Sequence, residues 1–345
     1  MLAQIINRLF NMGIEAAARA MKRLLVYLVV ASILLGVAVG YACRASAVDL
    51  KPVVLALAVA TITPSMVVMR VGGLLEAARR WREVVLGLAL IFVASPLAAM
   101  ALSRLLDDPG LAVGFVVSNI VPASSASLSY VLIAGGDLEL ATVLAMLSIV
   151  GALAAIPGYL RLYAASCSIS VPMAPIMRSL LVALVLPLVV GQGVRKVLER
   201  RRALARSRPV LQLITMTTLL GLIATLVATH AQTIVGRPLT ALELTALLGA
   251  SIGTVMALSE LLTRWLRVSR CRRVSITILA ATKNQSVAAA IAVTALGGSA
   301  ALAPALAPSI QPVLAMMYLR AAAHRERNHI SSQPQPKRVE AEPLG

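Results

Sequence analysis

Apolar residues run along this chain in blocks of about 20, cut by short segments where arginine, lysine and proline gather. At 1.5 Å of rise per residue, a helix of that length crosses the hydrocarbon of a bilayer. The pattern predicts ten spans, at residues 23–42, 52–70, 84–105, 111–134, 138–160, 173–194, 209–230, 240–263, 274–297 and 301–320. The expected fold class is an all-α membrane protein with ten transmembrane helices. Most connections are short, and the longest is the arginine-rich stretch 195–208.

The ends differ from the rest. Residues 1–22 form a leader in which Leu2, Ile5, Ile6, Leu9 and Phe10 recur at helical spacing near Arg8 and Arg19. A helix lying in the membrane interface and an unstructured cytoplasmic tail are both open readings. Lys22-Arg23, an apolar run and Ala42-Cys43 outwardly resemble a lipoprotein signal. The run exceeds the usual 7–15 residues of such a signal, so it reads as the first span. After residue 320 the chain turns polar, and 321–345 is expected to be a disordered cytoplasmic tail.

Composition sharpens the membrane reading. Of 345 residues 59% are hydrophobic, the mean hydropathy is +0.88, and only 13% are charged. A soluble domain carries about a quarter charged residues, so lipid must cover much of this surface. The net charge of +18 sits in clusters between apolar blocks. There it acts as a topology signal and a contact for anionic lipid, not as a nucleic-acid surface. With ten spans and a cytoplasmic N-terminus, 25 of the 32 Lys and Arg fall inside and five outside. That bias puts both termini in the cytoplasm of a multi-pass plasma-membrane protein. Two basic residues, Arg178 and Lys283, are left within spans.

The third predicted span ends Met100-Ala101-Leu102-Ser103-Arg104-Leu105-Leu106, and the eighth ends Met256-Ala257-Leu258-Ser259-Glu260-Leu261-Leu262. Six of seven residues match at an offset of five spans. An odd offset inverts the second copy, an arrangement common in secondary transporters. The expected organisation is two inverted five-helix repeats, 23–160 and 173–320, joined by an extracellular linker at 161–172. Spans four and nine then become equivalent, and both have polar centres. One reads Ser118-Asn119-Ile120-Val121-Pro122-Ala123-Ser124-Ser125-Ala126-Ser127, the other Thr282-Lys283-Asn284-Gln285-Ser286. Proline breaks a helix, and a broken helix at membrane depth survives only where protein or a cavity satisfies the freed groups. Two breaks at matching places predict helices that cross at their unwound centres. The site candidates for a substrate or ion are Asn119, Pro122, Ser124, Ser125, Ser127, Thr282, Lys283, Asn284, Gln285 and Ser286. Thr63, Ser148 and Arg178 form a second rank.

At these residues the chain resembles the superfamily of bile acid:sodium symporters and arsenical-resistance (arsenite efflux) permeases. The resemblance covers roughly 50–320. It rests on Thr63-Pro64-Ser65-Met66, Ser95-Pro96-Leu97, the proline-and-serine stretch closing with Gly136-Asp137, and Thr282 to Ala288. It implies ten helices, a small panel domain, a core domain and crossing helices four and nine. Two positions depart from the pattern. The arsenite permeases carry a cysteine directly after the span-four proline, where Ala123 stands here. The sodium symporters carry an acidic residue before the span-nine amides, where this chain has about Ala280, with Lys283 inside the motif. A fixed ammonium repels sodium.

The expected function is secondary active transport of a small anion, an organic acid or oxyanion, by alternating access. Arsenite efflux and a passive solute channel are the alternatives. Lys283 would serve as a substrate counter-ion or as a stand-in for sodium. An amine taken out of water can also give up its proton, so H+ joins Na+ as a candidate coupling ion. No other cofactor and no metal site is expected. Cys43, Cys167 and Cys271 have no metal spacing and read as free thiols, though Cys43 and Cys167 share a predicted side. An enzyme is disfavoured: the chain has no HExxH, no GxSxG and no aspartate-rich pair. It also lacks a phosphate-binding G-x-x-x-x-G-K-[ST] loop, which disfavours ATP-driven transport.

Overall fold

The computed structural model describes residues 13–21, 24–43, 49–69, 80–124, 126–167 and 172–331, and among these it is all helical. Residues 13–21 are helical, while the apolar stripe of the leader and Ser125 lie outside the described residues. The principal helices are α1 (Leu25–Ala42), α2 (Lys51–Val68), α3 (Trp81–Leu105), α4 (Pro109–Ile120), α5 (Ser127–Ile133) and α6 (Leu138–Cys167). They continue with α7 (Met173–Arg200), α8 (Leu204–Thr229), α9 (Ala231–Gly236), α10 (Pro238–Trp265), α11 (Arg270–Ala281), α12 (Gln285–Leu296) and α13 (Leu302–Ser331). Eight of the described helices are long and apolar enough to cross a membrane. In α1 only 17% of an apolar window is buried by the protein, and Leu34 and Leu35 stand more than half exposed. Water would not tolerate such a surface, so these faces meet lipid.

The stretches predicted as spans four and nine are each two short helices, α4 with α5 and α11 with α12. Pro109 at the first turn and Asp108 as cap start α4, the Asp108 carboxylate accepting the Leu111 N–H at 3.0 Å. The helix stops where Pro122 supplies no donor, and Val121 turns to extended geometry. On the other strand of chain, Thr282 ends α11 in an extended conformation, and α12 begins at Gln285.

Two groups of helices emerge from the packing. Helices α1, α2, α7 and α8 pack mainly on one another, while α3 to α6 and α10 to α13 form the larger group. Small residues set the closest approaches. A Cβ on Gly40 of α1 would lie 2.3 Å from the Ala228 carbonyl of α8, and one on Gly114 of α4 would lie 2.0 Å from the Ala300 carbonyl. Glycine allows the backbones to touch, as is usual between membrane helices.

Two expectations about boundaries need correction. The stretch 195–208 is not a long loop, since α7 runs to Arg200 and α8 starts at Leu204. Arg195 is buried, and its guanidinium donates to the carbonyls of Val67, Val68 and Met69 at 3.2, 2.9 and 3.1 Å and pairs with Glu199 at 2.6 Å. A cation over the orphan carbonyls of a helix end is a favourable cap, and a charge count along the sequence cannot distinguish it from a topology signal. The last helix also continues to Ser331, beyond the expected end of the span. Cys43 and Cys271 are free and exposed, in line with their reading as free thiols.

Candidate functional site

The two breaks meet. Ala123 and Lys283 form an antiparallel bridge, with the Ser124 N–H donating to the Thr282 carbonyl at 3.0 Å and the Asn284 N–H to the Pro122 carbonyl at 2.9 Å. The remaining donors of the crossing go to side chains. Ala123 N–H donates to Ser148 Oγ at 3.1 Å, and Lys283 N–H donates to Gln311 Oε1 at 2.9 Å. Ser127 and Thr282 share a short hydroxyl–hydroxyl bond across the crossing. Buried backbone groups must find partners, and here each helix supplies what the other has lost.

Prolines explain which carbonyls are free. Pro122 has no N–H for the Ser118 carbonyl four residues back, and Gln285 Nε2 takes its place at 3.1 Å. In α3 the turn Leu90–Ala94 is widened so that Ser95 N–H reaches the Leu90 carbonyl. With that donor used and Pro96 donating nothing, the carbonyls of Ile91 and Phe92 are released. Lys283 Nζ donates to Ile91 at 3.0 Å, and the Tyr159 hydroxyl to Phe92 by a short bond. Lys283 is 2% exposed. Its ammonium is therefore held by a carbonyl dipole, with no carboxylate partner among the described residues.

A cavity of about 80 Å³ lies beside the crossing, between the two helix groups. One wall comes from Leu25, Val29, Thr61, Ile62, Ser65, Thr215 and Leu219 of α1, α2 and α8. The other comes from Ser124, Ala126 and Tyr130, from Lys283 through Ser286, and from Pro308, Gln311 and Pro312 of α13. Among the described residues no Asp or Glu lines it. Drug-sized ligands occupy about 300–1,000 Å³, so this conformation has room for a small solute and none for a steroid. The α3 carbonyl that holds the Lys283 ammonium is not part of the cavity wall. The amine is therefore committed to a carbonyl of α3 that lies outside the cavity wall, although Lys283 itself is one of the lining residues.

The sequence-derived candidates divide accordingly. Ser124, Lys283, Asn284, Gln285 and Ser286 line the cavity, while Asn119, Ser127, Thr282 and Ser148 support the crossing from behind. Asn119 is engaged at both atoms of its amide: its Nδ2 donates to the Phe115 carbonyl at 2.9 Å and its Oδ1 accepts from Ser251 at 2.8 Å. Pro122 acts through its missing donor and its carbonyl. Among the described residues Thr63 bonds back to Val59 within α2. Arg178 is exposed on the second turn of α7 and is not brought to the crossing. Sequence reasoning missed Gln311, although a glutamine between Pro308 and Pro312 in an apolar span was a visible signal. It also missed Thr61 and Tyr130, hydroxyls that no pattern separates from ordinary helix positions, and it named Ser65 only within the Thr63-Pro64-Ser65-Met66 motif. Among the described residues no cluster of His, Cys, Asp and Glu could hold a metal ion.

The broken helices are anchored at their far ends as well. Ser299 Oγ donates to Asp108 Oδ1 at 2.9 Å, tying the start of α4 to the turn after α12. At the opposite end Asp137 N–H donates to the Cys271 carbonyl at 3.1 Å and Ser275 Oγ to the Asp137 carbonyl at 2.8 Å, tying the end of α5 to α11. Arginines brace that end, with Arg80 on Asp137 and Arg272 on Glu83, each at 2.6 Å. Burial alone would raise the Asp108 pKa. The Leu111 N–H, the Ser299 hydroxyl, the Gly110 N–H and the field of Arg237 together outweigh it and hold the carboxyl below its usual value.

Apolar helices that span a bilayer, with two unwound segments meeting beside a small polar cavity, define a multi-pass membrane transporter. Comparison with known families agrees. The model of the Sodium Bile acid symporter family matches residues 54–237, which is more than half of the chain, and the protein belongs to that family. Its members are transporters rather than enzymes. No curated protein matches the chain. The matched region contains the first break and stops short of the second, so the family assignment does not depend on the lysine-containing segment.

Proposed function

We propose that the protein is a secondary active transporter of a small anionic solute, working by alternating access between its two helix groups. The observation that carries this reading is the cavity at the crossing, lined by hydroxyls and amides, with no carboxylate among the described residues to repel an anion. Movement of α1, α2, α7 and α8 against the larger group would open it to one side and then the other. In this reading α4 with α5, and α11 with α12, are each one broken span. They bring the total to ten, arranged as two inverted five-helix repeats. The lysine and arginine bias supports a cytoplasmic position for both termini, and the reading takes the membrane to be the plasma membrane.

Lys283 is assigned as a tethered cation that stands in for sodium behind the crossing, and its proton as the coupling ion. A buried ionisable group at membrane depth is functional by default, and an amine fixed on the Ile91 carbonyl leaves a sodium ion no favourable place beside it. The test is uptake into proteoliposomes under imposed pH and sodium gradients. A thermal-shift screen over short organic acids, bile acids, arsenite and sodium would first choose the solute. Concentrative uptake should follow the pH gradient, ignore sodium and vanish in Lys283→Ala. Unchanged uptake by that variant removes Lys283 from the mechanism, and uptake that never exceeds equilibration makes the protein a channel.

A further inference from the structure

We infer that Gln311 of α13 is a solute-binding residue that links occupancy of the cavity to the backbone of the crossing; this rests on the anion-transport reading above. Gln311 is 9% exposed and lines the cavity together with Asn284. Its orientation is fixed by chemistry. Lys283 N–H is a donor, so the atom facing it at 2.9 Å must be the amide oxygen. The amino group then has no hydrogen-bonding partner among the described residues. It is not sealed in protein either, because it is absent from the small set of fully buried groups without partners, Ser118 Oγ, Ser259 Oγ, Thr277 Oγ1 and Gln285 Oε1. Gln311 lines the cavity, so the donor side of its amide is the part left to meet a solute there.

One planar amide thus has its acceptor on the crossing and its donor on the cavity. An oxyanion or carboxylate accepting from Nε2 polarises the amide and strengthens the bond its oxygen accepts from Lys283 N–H, as in any hydrogen-bonded chain. Filling the cavity then tightens the crossing, and emptying it loosens the same bond. Pro308 and Pro312, one turn apart on either side of Gln311, remove two helix donors from α13. The segment presenting the amide is accordingly less constrained than a regular helix, and it can follow the crossing as the helix groups move. The ligand class is a small anion with acceptor oxygens and no donor requirement at this position.

Two variants separate binding from support. Gln311→Glu keeps the oxygen that accepts from Lys283 N–H, loses the donor and adds a negative charge. Gln311→Leu loses both. Purified full-length protein in detergent is titrated with pyruvate, sulfate and taurocholate, by calorimetry and thermal shift, between pH 5 and pH 8. The expected result is that the unmodified protein binds at least one of the smaller anions and that Q311E binds it at least about tenfold more weakly at pH 8. Q311E should recover affinity as the introduced carboxyl takes up a proton and can donate again. Its melting temperature without ligand should stay near that of the unmodified protein, while Q311L should melt lower. Equal affinity of Q311E and the unmodified protein across the pH range overturns the assignment and leaves the transport reading intact. If none of the anions binds the unmodified protein, the transport reading fails and the assignment with it.

Discussion

The two breaks at the crossing look alike and are made by different means. In the first, the sequence itself stops the helix: Pro122 offers no N–H, and α4 ends whatever surrounds it. In the second there is no proline between Ile278 and Gln285. The helix ends there because its donors have better partners elsewhere, Lys283 N–H on Gln311 and Asn284 N–H on the Pro122 carbonyl. The first break is local and the second is borrowed. The second depends on the first, since the carbonyl that receives Asn284 is exposed only because α4 has already unwound. A rigid break facing a conditional one is a sensible arrangement for a site that must change shape, because one side fixes the geometry and the other responds to it.

The sharpest way to break that distinction is Pro122→Ala. Proline in a helix interior costs about 3 kcal/mol or more, and its removal returns a donor to the Ser118 carbonyl. The two bridging bonds that oppose a continuous helix contribute about 1 kcal/mol each. The variant is therefore expected to extend α4 through the crossing, with uptake falling by more than about tenfold. Hydrogen exchange at the amides of Ala123 and Ser124 should change with it. Unaltered exchange and uptake would mean that tertiary bonds hold both breaks, and that the asymmetry argued above is false.

Gln285→Leu probes the repair in place of the break. Gln285 Nε2 occupies the carbonyl that Pro122 leaves open, and an orphaned buried acceptor costs about 1–3 kcal/mol. The lower part of that range is expected, because Gln285 Oε1 is itself buried without a partner among the described residues and the substitution removes it. A chemical-denaturation or thermal measurement showing no loss would place the stability of the first break in α4 alone.

How much of this was legible in advance follows the same division. Spans were readable because twenty apolar residues in a row have few other uses, and the first break was readable because proline acts locally. The polar run Thr282 to Ser286 marked the second break without revealing its cause, since Gln311 lies 28 residues away and only folding brings them together. The direction of the Lys283 ammonium was not legible at all. It depends on a widened turn in α3 that releases the Ile91 carbonyl, and Ser95-Pro96 announces a disturbance in that helix without saying which side chain will answer it. Arg195 went unread for a related reason, because a capping arginine and a loop arginine have the same letter and the same neighbours.

The smallest effect is expected where the crossing pair is anchored at its far end, at Asp108. Its carboxylate caps α4 and accepts from Ser299 beyond α12, so it joins the local break to the conditional one away from the cavity. Asp108→Asn keeps an acceptor at the cap, which asparagine fills well, and removes only the charge. The cost near pH 7 should be about 0.5 kcal/mol, since water screens a partly exposed group. The sign with pH follows from the lowered folded value. The charge contributes fully above the ordinary aspartate range near 3.9 and is lost as pH falls through the lower folded value. The unmodified and substituted proteins should therefore differ in melting temperature at pH 7 and converge as the carboxyl protonates in acid. A gap of constant size down to that range would show that the hydrogen bonds of Asp108, rather than its charge, tie α4 to the turn after α12.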